Sequence, residues 1–414
     1  MLKILHLADV HLDTIFASRS ATVRQRLRES IRTALVRAID LAIGERVDAV
    51  LIAGDLFDGE LLSFTSERLI FEQIHRLVDA GIPGFYATGN HDPASMRTRA
   101  AGMEWPDGFH VFRTAEPEAV QIRSKTGNPV GYVVGAGHET AREEQNLITR
   151  FPTSSGATPW VGLAHTIVTS AASTELHDRY APCEVDDLRK PGYDYWALGH
   201  VHTRQQVDDQ ANAWYPGNIV GRNPRETGPR GAIVARVERG KPALTEFVPL
   251  SPVEWYHLSP EDLSSISNAS ELETRVRDEF EAIRRQSAAD DWIVVLDMQG
   301  PCPLEPDLRD TDRREELEEL VADALSVMAV EIRTEKLVSP IDINAHRGQP
   351  HLLGETLALI DELRSDPSAL LKLAPDPPGR AVGTEPERLQ YLKELLTGIE
   401  DEAARRLLTD GGVI

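Results

Sequence analysis

Five short segments carry side chains that bind metals and anions, and each ends an apolar run. They are Ala8-Asp9-Val10-His11, Gly54-Asp55-Leu56-Phe57-Asp58, Gly89-Asn90-His91-Asp92, Leu163-Ala164-His165-Thr166 and Gly199-His200-Val201-His202. Each fragment alone is weak, because Asp-x-His arises by chance and a single strand-end His is commonly a satisfied structural residue. The ordered set differs: five loops deliver carboxylate, amide oxygen or imidazole, and the rest of the chain has no comparable cluster. A phosphodiester is anionic and resists attack. Two cations about 3.5 to 4 Å apart can activate water and neutralise the developing charge. One carboxylate must bridge them. Asp55 is expected there, with Asp9, His11 and His202 completing one ion and Asn90, His165 and His200 the other. Mixed oxygen and imidazole donors suit manganese, iron or zinc and leave positions open for water and phosphate.

His91 adjoins the expected ligand Asn90, and a non-ligating imidazole there could protonate the leaving oxygen. Asp92 has two readings: it holds that imidazole in its working tautomer, or it caps a following helix. Asn218, Arg222, Arg225 and Arg230 lie in a Gly- and Pro-rich loop, as a phosphate clamp or as an ordinary hairpin. Arg19, Arg24, Arg26, Arg28, Arg32 and Arg37 form either a DNA-facing stripe or, the reading favoured here, a solvated helix face. His6, His75, His110, His138 and His177 show no strand-end spacing with the cluster and are expected to be structural, His138 being the nearest to an exception.

The elements that must position these groups read as β-α-β-α-β. Strand 2–8 precedes a helix over 24–43, with Leu27, Ile31, Leu35 and Ile39 at four-residue spacing. Strand 49–53, helix 66–80 and strand 82–88 follow. Such crossovers imply parallel strands, whose carboxyl ends gather ligand groups. From about Phe109 to Leu250 short β-rich runs alternate with Gly, Pro and Asn, predicting a second sheet facing the first. Residues 251–342 read as a smaller α/β module with helices 272–285 and 313–328 and strands 292–298 and 330–337. Residues 343–414 carry only helical signals, at 351–364 and, past a Pro-rich linker at 374–378, at 386–408. No internal repeat is present.

The 414 residues carry a net charge of −22, unusual for a nucleic-acid binder, which needs Lys and Arg against phosphate. The distribution softens the objection. Residues 1–250 hold 27 basic and 31 acidic groups, net −4, whereas 251–414 hold 17 and 35, net −18. Aromatic residues are 6 % of the chain and do not interleave with basic ones, so no stacking platform for single strands is indicated. Two cysteines, Cys183 and Cys302, exclude a disulfide framework. No run approaches the roughly 18 apolar residues of a membrane span, and strand 2–8 begins without a signal-peptide pattern, so a cytoplasmic protein is expected.

Taken together, these motifs resemble those of the calcineurin-like metallophosphoesterase superfamily over about residues 1–250. Leu7-Ala8-Asp9-Val10-His11-Leu12-Asp13, Tyr180-Ala181-Pro182-Cys183, the run from Gly192 to His202 and Tyr215-Pro216-Gly217-Asn218 are similar to the bacterial SbcD and YhaO group of DNA repair exonucleases. The resemblance implies a four-layer αββα sandwich and a manganese-dependent nuclease holding two divalent ions, Mn2+ first among them. It also implies a capping domain at 251–342 and helices at 343–414 that dock on an SMC-like coiled-coil ATPase of the SbcC or YhaN kind, with a homodimer common in the group. Archaeal and eukaryotic relatives tend to carry His where this chain has Asp58, so roles attached to that His do not transfer. Asp58 either binds water near the metals or is a structural loop carboxylate. Two other readings compete with the nuclease: the same chemistry on a small phosphodiester or phosphomonoester, and a non-catalytic scaffold for the ATPase. The acidic charge sustains the former, while the full ligand set and His91 speak against the latter.

Overall fold

The computed structural model describes residues 1–59, 62–96, 102–124, 127–169, 179–338, 343–373 and 384–408. His177, Pro340 and the Pro-rich 374–378 stretch lie outside the described residues. Two compact units are present, one of residues 1–256 with 286–293, the other of 257–285 with 294–414.

The first unit contains β1 (Leu2–Leu7), α1 (Ala21–Gly44), β2 (Ala49–Ala53), α2 (Phe64–Asp79), β3 (Gly84–Ala87), β4 (Phe109–Phe112), β5 (Glu118–Arg123) and β6 (Pro129–Ala136). It continues with β7 (Trp160–His165), α3 (Val185–Arg189), β8 (Tyr195–Gly199), β9 (Gln205–Asp208), β10 (Ala213–Tyr215), β11 (Gly231–Val237) and β12 (Leu244–Pro249). One sheet runs β12-β11-β1-β2-β3-β4 and the other β5-β6-β7-β8-β10-β9. Strands β1 to β4 are mutually parallel, as are β6, β7, β8 and β10. Parallel strands need crossovers. α1 and α2 supply two of them, burying Leu27, Ile31, Leu35 and Ile39 from one and Ile70, Ile74 and Leu77 from the other. Helix α1 starts three residues before the expected position 24 because the Ser20 side chain accepts the Val23 N–H.

The inner faces of both sheets meet in one core of Leu2, Ile4, Leu51 and Phe85 against Val133, Val161, Leu163 and Tyr195. On the outer face of the second sheet Phe151, Trp160, Tyr193 and Trp196 form another core. Among the described residues that side is covered by α3 and a 3-10 turn at Ile148–Arg150.

At their carboxyl ends the sheets approach so closely that glycine is required. A Cβ on Gly199 would lie 1.7 Å from the Ala53 carbonyl oxygen, and one on Gly54, at φ +86°, would lie 2.2 Å from His165 Nδ1. These glycines immediately precede His200 and Asp55, so the residue that admits the close approach also aims the ligand-type side chain.

In the second unit, helices α4 (Ala269–Arg284), α5 (Glu305–Arg309) and α6 (Thr311–Leu325) accompany a sheet of order β13 (Val253–Leu258), β14 (Asp291–Pro301) and β15 (Ala329–Val338). The boundary between the units passes through β13 and β14. Helices α7 (Ile343–His346), α8 (Leu352–Ser365), α9 (Pro367–Leu373), α10 (Glu385–Leu395) and α11 (Ile399–Leu408) follow. The single helix expected over 386–408 is thus two, because Gly398 at φ +76° interrupts it. Leu363, Leu370, Leu392 and Leu396 form one small core here, and Leu353, Leu357 and Ala404 another. No described helix is long and apolar enough to cross a membrane.

The glycine constraint gives a direct expectation. Gly199→Ala forces backbone movement and costs about 3 kcal/mol of stability or more. A Cβ at Gly44, with nothing within 4 Å, changes stability by less than about 1 kcal/mol. Thermal unfolding of the two variants checks this, and equal midpoints would contradict it.

Candidate metal centre

Strand β1 delivers Asp9 and His11, β2 delivers Asp55 and β3 delivers Asn90, while β7 and β8 of the facing sheet deliver His165, His200 and His202. Asp9 (φ 51°), His11 (φ 50°), Asp55 (φ 50°) and His200 (φ 100°) all adopt left-handed backbone, which costs on the order of 1 kcal/mol each. Neighbouring hydrogen bonds hold them. The Asp9 N–H donates to Gly54 O at 3.2 Å and the His11 N–H to Asp55 O at 2.9 Å. The Asp9 carboxylate accepts the His200 N–H at 3.1 and 3.2 Å, tying one sheet's loop to the other's. Asp55 Oδ1 accepts the His91 N–H at 2.9 Å.

The imidazoles are oriented by what lies behind them. His165 Nδ1–H donates to the Ala53 carbonyl at 2.9 Å, so its Nε2 can only accept. That Nε2 faces Asn90 Oδ1 at 2.9 Å and Asp55 Oδ2 at 3.4 Å, which are acceptors too. His200 Nδ1 lies 3.1 Å from the same Asn90 oxygen. On the other side, His11 Nε2 is 3.3 Å from His202 Nε2 and 3.7 Å from Asp55 Oδ2, and His202 Nε2 is 3.9 Å from Asp9 Oδ1. Behind them, His11 Nδ1 lies 3.3 Å from Asp58 Oδ1 and His202 Nδ1 lies 2.8 Å from Glu226 Oε1. Acceptors facing acceptors in a buried space are stable only with a proton or a cation among them. Asp9, His11 and His202 converge closely enough to hold one ion, and so do Asp9, Asp55 and His165. The donor set therefore fits divalent metal.

Electrostatics agree with that fit. Burial pushes the Asp9 and Asp55 carboxyls well above the ordinary carboxylate range, with the charge of Asp55 adding to Asp9 and that of Asp92 to Asp55. Burial also holds the His11 and His165 imidazoles far below their usual value, hence neutral and competent as ligands. Asp58 is the opposite case. Burial works against its charge, but the neighbouring His11 and His91 imidazoles and the Arg222 guanidinium prevail and keep it ionised.

Asp58, not Asp92, holds the His91 ring, with Oδ1 2.8 Å from Nδ1. Asp92 turns inward instead, accepting the Gly89 N–H at 2.7 Å and the Phe57 N–H at 3.0 Å. It braces the loops after β2 and β3, and neither of its expected roles describes it. The phosphate-clamp reading changes as well. Asn218 is fully buried, donating to Glu226 at 2.5 Å and accepting from Arg230 at 3.0 Å. Arg222 donates to Asp58 at 2.8 Å, and Arg230 is bound to the His202 carbonyl. Arg225 has an exposed side chain.

The arginine stripe is largely engaged within its own unit. Arg28 donates to Thr14 O at 2.9 Å, Arg32 to Asp13 at 3.2 Å and Arg37 to Asp290 at 2.5 Å. Arg26 pairs with Asp291, and Arg19 lies over the Trp255 ring. His6 is bound to Tyr195 and Leu198 inside the core. His138 backs the centre, its Nε2 2.7 Å from the His165 carbonyl oxygen. The residue missed in the sequence is Glu226, an acid in the Gly- and Pro-rich loop with no periodic signal to mark it.

A calcineurin-like phosphoesterase family model matches residues 2–204. The uncharacterized metallophosphoesterase YhaO of Bacillus subtilis is 33 % identical over 306 residues, spanning 73 % of this chain and 72 % of that protein. The DNA double-strand break repair protein Mre11 of Aeropyrum pernix is 34 % identical over 239 residues, 52 % of this chain and 53 % of that protein. The SbcD component of the nuclease SbcCD from Rhodobacter capsulatus is 24 % identical over 247 residues, 50 % of this chain and 59 % of that protein. The last two likenesses thus cover little more than half of those relatives. With its five motif loops converging on one donor set, the chain belongs to the calcineurin-like metallophosphoesterase family.

Proposed function

We propose that the chain is a metal-dependent DNA exonuclease, with endonucleolytic cleavage open to the same centre, and that it works in DNA repair beside an SMC-like coiled-coil ATPase. The observation that carries the catalytic part is His165 Nε2, an acceptor by virtue of its partner Ala53, set against Asn90 and Asp55 oxygens. Asp9, His11 and His202 would hold one Mn2+, Asn90, His165 and His200 the other, and Asp55 would bridge. When bound, such ions activate water and neutralise charge on the phosphate. Support for DNA as substrate comes from the relatives named above. Residues 251–342 are assigned as a capping domain and 343–414 as the ATPase-docking region, in a cytoplasmic protein.

The chain's own residues supply the proton. Asp58 keeps Nδ1 of His91 as the N–H, which leaves the other ring nitrogen to face the reaction. Burial disfavours the imidazolium, yet the hydrogen bond to Asp58 and the charge of Asp55 raise the His91 pKa above its ordinary value. A protonated donor at neutral pH is what a leaving alkoxide requires. Arg222, on the far oxygen of Asp58, keeps that carboxylate charged.

The second reading, a small phosphodiester substrate, is favoured by the engaged arginines of α1 and the net charge of −22. Digestion of end-labelled linear DNA with Mn2+, with bis-p-nitrophenyl phosphate alongside, separates the two. The wild type shortens DNA. His91→Ala slows it by about 10² to 10⁴-fold while still binding metal, and Asp55→Ala loses metal and activity together. Hydrolysis of the generic ester with DNA left intact, even with an ATPase partner supplied, would move the assignment to a small-molecule enzyme.

The carboxyl shifts set a pH dependence. Because the folded pKa values of Asp9 and Asp55 are raised, to about 7, stability that they provide when protonated is lost from the metal-free protein as pH rises from about 4 through 7. His11 and His165, held neutral, act in the opposite sense below the ordinary imidazole range. The clean quantity is therefore the Mn2+-induced rise in Tm, since ions and protons compete for the same atoms. It is small at pH 5 and grows to pH 7.5; a rise independent of pH would contradict ligation by these groups.

A further inference from the structure

Glu226 lies in the loop between β10 and β11, away from every motif that marks the centre. Its carboxylate accepts from four donors at once. Oε1 is 2.8 Å from His202 Nδ1 and 2.9 Å from Asn223 Nδ2, while Oε2 is 2.5 Å from Asn218 Nδ2 and 2.6 Å from the Arg222 backbone N–H. Three of these partners are donors by nature. The fourth, His202, becomes one by contact with an ionised acid. Among side chains only a carboxylate has the lone pairs for four donors, and a Gln amide would set its own N–H groups against two of them.

This arrangement has two consequences. With the proton on Nδ1, Nε2 is the nitrogen that His202 presents towards Asp9 and His11. Through Arg222 the same carboxylate is also linked to the proton donor: the Arg222 N–H is on Glu226, its guanidinium is on Asp58 at 2.8 Å, and Asp58 is on His91 at 2.8 Å. The two imidazoles that meet at 3.3 Å are thus each backed by a carboxylate, His11 by Asp58 and His202 by Glu226, and Arg222 joins the two acids.

We infer that Glu226 is a positioning residue of the metal centre, holding His202 in the Nδ1–H tautomer and seating the Arg222 backbone so that ion binding at His202 and orientation of His91 depend on one carboxylate. The inference rests on the metal reading proposed above. A carboxylate that only tethers its loop would hold the chain in place without dictating which His202 nitrogen meets an ion. Loss of a carboxylate behind a ligating imidazole typically weakens metal binding by about 10 to 100-fold.

The test uses the full chain and Mn2+ alone. Ring ¹⁵N shifts of metal-free wild type are expected to show His202 protonated on Nδ1. Calorimetric titration is expected to show two Mn2+ per wild-type chain. In Glu226→Gln one ion binds about 10 to 100-fold more weakly and the other is retained, and kcat for DNA hydrolysis stays below wild type even at saturating Mn2+, because His91 is less firmly oriented. Metal-free wild type with the proton on Nε2 would overturn the inference, and this measurement stands even if the variant does not fold. So would a folded Glu226→Gln chain that binds two Mn2+ with wild-type affinity. A wild type that takes up no Mn2+ overturns the metal reading itself, an outcome visible without any variant.

Discussion

Two buried carboxylates, Asp9 and Asp55, stand where the parallel strands of both sheets end, near the His165 Nε2 and Asn90 Oδ1 atoms, which can only accept. Such a gathering is unfavourable in isolation, because desolvated like charges and opposed lone pairs have nothing to offset them. The fold sustains it by rigid means. Glycines at 54 and 199 let the sheets close to a separation that no Cβ would permit, and left-handed backbone at Asp9, His11, Asp55 and His200 turns the side chains inward. Hydrogen bonds to the Gly54 and Asp55 carbonyls and from the His200 N–H keep that backbone in place. Divalent cations resolve the same conflict, so the stability of the centre and its chemistry share one cause.

Around this inner set lies a ring of groups that decide which atom does what. Ala53 and Glu226 sit behind His165 and His202 and determine which nitrogen each turns to the centre, and Asp58 lies behind His11. Asp92 and His138 brace loops by hydrogen bonds to backbone atoms. Asp58 serves two imidazoles at once, its Oδ1 lying 3.3 Å from His11 Nδ1 and 2.8 Å from His91 Nδ1. An acid there changes the character of the neighbouring His91, which gains a charged partner.

Much of this was legible in the sequence. Strand-end ligands are readable because helical periodicity in α1 and α2 forces parallel strands, and parallel strands put their carboxyl ends on one edge. Boundaries drifted where caps rule: Ser20 starts α1 early, and Gly398 divides a stretch whose leucines run on at helical spacing. Groups that act behind the ligands were not legible. Glu226 carries no periodicity in its loop, and adjacency in sequence suggested Asp92 for His91 although the carboxylate that reaches the ring comes from Asp58, on the loop after β2. The arginines of α1 illustrate the same limit. Their spacing suggested a cationic face, but carbonyls and acids such as Thr14, Asp13 and Asp290, distant in sequence, claim them.

The most direct test of the central claim is anomalous diffraction at the manganese edge from crystals grown with Mn2+. Two peaks about 3.5 to 4 Å apart are expected, with Asp55 between them, Asp9, His11 and His202 on one, and Asn90, His165 and His200 on the other. No peak at this cluster, or ions bound without Asp55, would contradict the account.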